Sequence, residues 1–302
     1  MGFALGPRGV ICRDHASVGI IRFFRHVSAG FMVGFAMTVR AGLILALAGV
    51  VAALAGSCGG NRETALSVAG STSMQPFVEM LAEEFMVVRP GTKVLVQGGG
   101  STAGIQAVRE GAAAVGMVSR ELNQQEQDLT AVAIARDGIA VIVHPSNPIS
   151  SLSRGQVKEV FGGRTTDFRD LGGKPGPIRP VAREEGSGTR GAFQELVMDG
   201  APTTPQALVQ NSSGSVREMV SRDPAAIGYI SLGLVSESVK AVKIDGVEAR
   251  GENVKNGTYK LARPFLLVIR GEPGGVAKEF IDYILSDPGQ RLLEREGLIR
   301  VR

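Results

Sequence analysis

Four times along this chain an apolar, strand-like run ends in a Gly/Ser/Thr loop and passes directly into a segment with helical spacing. "TALSVAG" leads through "STSMQP" into "FVEMLAEEF", where Phe77, Leu81 and Phe85 fall at i, i+4 and i+8. "TKVLVQ" leads through "GGGSTAG" into "IQAVREG". "IRPVARE" leads through "EGSGTR" into "GAFQELV", with Phe193, Leu196 and Val197 on one face, and "QALVQ" leads through "NSSGS" into "VREMV". Continuous or period-2 apolar runs that alternate with 3.6-period segments specify a parallel α/β architecture.

The loops share a physical property. Ser and Thr at a helix start accept from its early amides, and glycine permits the tight turn. Several amides per helix start stay free of internal acceptors, and the helix dipole favours negative charge there. One such loop is ordinary structural punctuation. Four together, one of them beside Arg183, describe a cradle for an anion at the carboxyl ends of the strands. The Gly- and Pro-punctuated stretch "FGGRTTDFRDLGGKPGP" at 161–177 reads instead as a solvated surface loop.

The first 60 residues follow a different pattern. "AGLILALAGVVAALAGS" at 41–57 follows Arg40 and ends at Cys58. A basic start, a short apolar core and small residues before a cleavage point describe a secretory signal. The cysteine at the junction suggests a lipoprotein signal over 37–58, with Cys58 carrying the lipid. A transmembrane anchor is the rival reading, since a run of this length is at the short limit for a span. Residues 1–36 have no role in such a signal, and Met37 offers a compact alternative start.

Charge and residue counts then exclude whole classes of function. Of the 33 Lys and Arg, five lie before Cys58, and of the 29 acids only Asp14 does, which leaves 28 of each sign. The basic balance therefore belongs to the leader, and nothing argues for a nucleic-acid surface. Beyond the leader His144 is the only histidine and Cys58 the only thiol. That composition excludes a Cys/His metal site, an internal disulfide and a thiol–histidine pair. A Gly-x-Ser-x-Gly elbow fails at Ser187, where Glu185 takes the first glycine position, and at Ser101, where Ala103 takes the last. A serine hydrolase would need His144 as its base, yet that residue precedes Pro145 at the end of "IAVIV". The residues favour binding over catalysis, with no cofactor and no metal expected.

Taken together, "VAGSTSMQP", "VQGGGSTAGIQA", "VGMVSRELN", "DGIAVIVHPSNP", "VAREEGSGTRGAFQELV", "AIGYISLG" and "FIDYILSDPGQRLLEREG" resemble the phosphate-binding proteins of ABC-type phosphate importers, in the same order from about Thr64 to Arg302. The resemblance implies a type II periplasmic-binding-protein fold: two α/β domains, joined by two crossing strands, around a ligand cleft. One domain would comprise 64–143 and 263–302, and the inserted one 144–262. It also implies an extracytoplasmic monomer, lipid-anchored at Cys58, that hands inorganic phosphate to the permease and ATPase subunits of an importer. A receptor for sulfate or molybdate, or a secreted phosphatase or hydrolase, is the alternative.

Matched motif by motif, the resemblance nominates Ser71, Thr72 and Ser73 in the first loop and Ser101 in the second. In "EGSGT" it nominates Arg183 as the cation and Ser187, Gly188 and Thr189 as donors, with Glu185 bracing the arginine. Longer members of the family carry an aspartate in the third loop that accepts the proton of hydrogen phosphate. Here that position is Ser119, followed by Arg120, a second cation for the rim or a plain surface charge. Asp137 and Glu184 are candidate replacement acceptors, and a solvated position is the simpler reading for each.

Overall fold

A computed structural model of the protein describes residues 64–301. The readings of an upstream extension, a signal and lipidation at Cys58 concern residues outside the described ones. The chain begins with β1 (Thr64–Gly70), α1 (Gln75–Val88), β2 (Thr92–Gly98), α2 (Ser101–Arg109) and β3 (Val115–Val118), and then runs into the long strand β4 (Thr130–Val143). Its middle part contains β5 (Ser151–Leu152), α3 (Arg154–Phe161), β6 (Arg179–Arg183), α4 (Gly188–Leu196), β7 (Leu208–Gln210), α5 (Ser213–Arg222) and β8 (Ala226–Ser231). After β9 (Lys240–Ala241), β10 (Lys243–Ile244) and α6 (Gly251–Lys255), the chain returns through β11 (Ala262–Ile269) to α7 (Gly275–Leu285) and α8 (Asp287–Arg295). The four units of the sequence are thus β1–α1, β2–α2, β6–α4 and β7–α5.

Among the described residues, nine strands form one sheet in the order β2-β1-β3-β11-β4-β8-β6-β7, with β9 also paired to β4, while β5 and β10 pair with each other apart from it. β1 pairs in parallel with β2 and β3 at one end, and β6 pairs in parallel with β7 and β8 at the other. β4 joins the two ends. It pairs antiparallel with β11 from Thr130 to Gly138, and with β8 from Ile139 to Val143. The change of partner therefore falls at Gly138/Ile139, where the apolar run "IAVIV" begins.

Each end has its own apolar core. Phe77, Leu81 and Phe85 face inward from α1 and meet Val68, Phe265 and Phe280. The exposed Val87 and Val88 mark where the helical spacing leaves the core. Pro76 occupies the first turn of α1, where its missing N–H costs nothing. In the other lobe Phe161, Phe193 and Tyr229 form an aromatic stack, the last two with ring centroids 3.9 Å apart and planes 4° from parallel. Burying such a ring contributes about 1.5–3 kcal/mol. The edge strand β7 buries little, with Leu208 and Val209 both exposed.

Close packing at the sheet's carboxyl end depends on glycine. A Cβ on Gly104 of α2 would lie 2.6 Å from the Ala69 carbonyl, and Gly70, at φ +138°, faces the Met117 carbonyl in the same way. α2 thereby starts directly against the end of β1. The 161–177 stretch is less free than its composition implies. Phe168 is buried in the second core, and Asp167 accepts from the Arg169 and Gly176 amides.

Candidate functional site

Strands β1, β2, β3, β6 and β7 all end at the cleft between the lobes, and their loops bring five hydroxyls together. Ser71, Ser73, Ser101, Ser119 and Thr189 are each at most 2% exposed. Ser71 Oγ donates to Ser119 Oγ at 2.8 Å and lies 2.9 Å from Ser73 Oγ. Ser73 Oγ is 3.1 Å from Thr189 Oγ1, and Ser101 Oγ accepts from the Ser119 amide at 3.1 Å. Hydroxyls from both lobes thus converge within hydrogen-bond reach. Each hydroxyl carries one proton that can be donated to an oxyanion.

Arg183 ends β6 and is 1% exposed. Its Nε and Nη2 grip the two carboxylate oxygens of Glu184 at 2.9 and 2.8 Å. The remaining donors reach Ser213 Oγ at 3.1 Å and, across the cleft, Thr72 Oγ1 at 3.0 Å. The backbone amide of Arg183 donates to Tyr229 Oη at 3.3 Å, which fixes the end of the strand on the aromatic stack. Burial pushes the Tyr229 phenol up to about 12.

A second arginine reaches the cluster from an unexpected direction. Arg263 of β11 is 3% exposed and lies opposite Asp137 of β4 in the strand register. Its Nε and Nη2 donate to Asp137 Oδ2 at 3.0 and 2.9 Å, and Ser231 Oγ donates to Asp137 Oδ1 at 2.9 Å. Nη1 turns to the cluster, reaching Thr189 Oγ1 at 2.7 Å and the Ser119 carbonyl at 3.0 Å. Burial pushes the Asp137 carboxyl up and the Arg263 guanidinium down, each opposed by the charge of the other.

The nominated residues therefore divide. Ser71, Ser73, Ser101, Ser119 and Thr189 meet in the cluster, and Thr72 and Arg183 bridge its edge. The Ser187 side chain caps α4, accepting from the Arg190 amide at 3.2 Å. That leaves the first amides of α4, at Gly188 and Thr189, without helical acceptors. Gly188 faces Ser101 and Ser119 so closely that a Cβ there would lie 2.2 and 2.6 Å from their hydroxyls.

Arg120 stands apart from the cluster. Its guanidinium is bound to Glu126 at 2.6 and 2.8 Å, and its stem lies along Gly191. Burial works to raise the Glu126 carboxyl, but the Arg120 and Asn123 hydrogen bonds outweigh it and hold the group below the usual range. The acid that braces Arg183 is Glu184 rather than Glu185, whose exposed side chain lies 3.7 Å from Arg190. Asp137 is fully buried, contrary to the solvated reading, and it and Glu184 are each held by an arginine. His144 engages its neighbour Ser146, as a turn residue does. Arg263 escaped notice because it belongs to no Gly/Ser loop, and Ser213 because it lies in the fourth loop, "NSSGS", from which no motif nominated a residue. The one visible signal was a lone arginine at the head of the apolar run "RPFLLVI".

The pattern of the PBP superfamily domain matches residues 56–288. The phosphate-binding protein PstS of Bacillus subtilis is 32% identical over 279 residues, covering 86% of this chain and 92% of that one. PstS of Pseudomonas aeruginosa is 31% identical over 265 residues, or 78% and 82% of the two chains. A Clostridium perfringens structure described as a phosphate ABC transporter substrate-binding protein with bound phosphate superposes with a TM-score of 0.77 at 43% identity. It covers 79% of this chain and all of that one. An ABC-type phosphate transport receptor of Vibrio cholerae gives 0.66 at 35% identity, covering 78% and 99%.

Proposed function

The chain belongs to the periplasmic-binding-protein superfamily and, within it, to the PstS phosphate-binding proteins; from that premise we propose how it captures its anion. The protein is a phosphate receptor of an ABC importer rather than an enzyme. The observation that carries the site assignment is the convergence of five buried hydroxyls, the start of α4 and two buried arginines in one cleft.

Phosphate displaces the bonds the hydroxyls make with one another and accepts from them instead. The Gly188 and Thr189 amides add donors aligned with the α4 dipole. Arg183, braced by Glu184, supplies positive charge from the second lobe. Domain closure excludes water and strengthens every one of these contacts. Residues 64–143 with 263–302, and residues 144–262, are the two bodies that close, with the pivot inside β4. Among the described residues no helix is long and apolar enough to cross a membrane. A receptor outside the cytoplasm, monomeric and tethered by a lipid on Cys58, accounts for that together with the leader sequence.

A second reading has its own support. Both acids near the cleft are held by arginines, and Ser119 occupies the third-loop position. Among the described residues no carboxylate at the cluster thus stands ready to reject a fully deprotonated anion, and sulfate or molybdate remains a competitor. The test of the site is Arg183→Ala, assayed by phosphate calorimetry on the full chain. A charge-assisted bond contributes about 1.5–3 kcal/mol, and more than one is lost, so affinity is expected to fall by roughly 100-fold or more. Unchanged affinity would remove Arg183 from the site.

A further inference from the structure

The Arg263–Asp137 pair lies outside the loops that the sequence pattern marks, and its contacts indicate its role. A guanidinium has only donors, so every oxygen it touches must accept. Nη1 reaches Thr189 Oγ1 and the Ser119 carbonyl, and Nη2 reaches Ser73 Oγ at 3.3 Å. Thr189 and Ser73 each commit a lone pair to Arg263, so their own hydroxyl protons point away from it and toward the cluster. A hydroxyl cluster without such a fixed donor presents lone pairs as readily as protons, and lone pairs repel an anion.

A purely structural role explains the pair poorly. Replacing a buried ion pair with apolar residues is often neutral or stabilising, so such a pair is weak evidence of fold support. Here the two charges sit at register partners of two central strands, and one face of the guanidinium is spent on three different loops. Resting on the reading of the cluster as the phosphate site, we propose that Arg263, held by Asp137, is a positioning residue for phosphate. It sets the proton direction of Ser73 and Thr189, ties the first loop, the third loop and the start of α4 together, and supplies a second buried positive charge.

The experiment compares four full-length variants by phosphate calorimetry and by thermal unfolding without phosphate. Arg263→Gln alone strands the Asp137 carboxylate, so its loss of binding is confounded with loss of fold. The double variant Asp137→Asn, Arg263→Gln removes both charges and keeps hydrogen-bonding groups on both strands. It is expected to unfold within a few degrees of the parent yet bind phosphate roughly 10- to 100-fold more weakly. Arg263→Lys keeps the charge and the pairing, but with one of its three donors on Asp137 it cannot also serve all three loop oxygens, and a loss of roughly tenfold is expected. Parent-like binding by the double variant or by Arg263→Lys would overturn the proposal. Arg183→Ala, run alongside, separates the two ways of failing. If it also binds like the parent, the site reading fails; if it alone loses phosphate, only the role of Arg263 falls.

Discussion

Adding one methyl group at Gly188 tests whether the hydroxyl cluster works as a closed unit. The Cβ of Gly188→Ala would lie 2.2 Å from Ser101 Oγ, 2.6 Å from Ser119 Oγ and 3.0 Å from Ser101 Cβ, where ordinary contact begins at 3.4 Å. The two oxygens can rotate away, but doing so dismantles the cluster, and the Ser101 Cβ cannot rotate at all. The lobes must therefore stand apart by about 1 Å at the anion. Misplacement on that scale costs about 100-fold in comparable sites, or about 2.7 kcal/mol. The fold should not suffer, because Gly188 opens α4 with φ outside the left-handed region, and alanine is the better helix former. The expected outcome is a parent-like melting temperature without phosphate and a calorimetric Kd about two orders of magnitude weaker. A variant that binds phosphate within threefold of the parent would refute the geometry from which the loss was worked out.

Two further outcomes concern selectivity and alkaline stability. Ser119→Asp places a carboxylate where Ser71 now donates. Sulfate affinity should then fall at least about tenfold further than that of protonated phosphate, read from competition calorimetry; an equal loss for both anions would show that this position does not sort them. The unfolded Tyr229 phenol titrates near 10 and the folded one at about 12. Its neutral form therefore stabilises the fold fully below pH 10, and that stability drains away as pH rises from 10 to 12, by roughly 3 kcal/mol in all. Tyr229→Phe should flatten the fall in melting temperature across that window, and an unaltered profile would assign the alkaline loss to other groups.

What the sequence revealed of this site follows from distance along the chain. Ser71, Ser101, Ser187 and Thr189 each sit where a strand hands over to a helix, so local pattern and local chemistry coincide. The same holds for Arg183, one residue from its own carboxylate partner. Even there the resemblance pointed to the other acid, since choosing Glu184 over Glu185 depends on which way the chain turns after β6. Arg263 meets Asp137 across 126 positions of sequence, through a strand register that no short motif encodes. Ser213 reaches Arg183 only because β6 and β7 pair in parallel. Arg120 shows the converse case. Next to Ser119 in sequence, it is turned aside by Glu126, whose own placement comes from a capping box with Asn123.

The exchange of partners along β4 bears on the order of events in capture. Asp137 and Arg263 lie one residue from Gly138 and Ala262, the last rung before β4 leaves β11 for β8. When two bodies turn about a fulcrum, points on the axis travel least. If the two proposed bodies close about β4, the Arg263 charge would keep nearly the same place throughout, whereas Arg183 would swing with its lobe and make its bond to Thr72 only on closing. On the proposed reading of the site, an arriving anion would meet a stationary charge at the base of the cleft first and the moving arginine last.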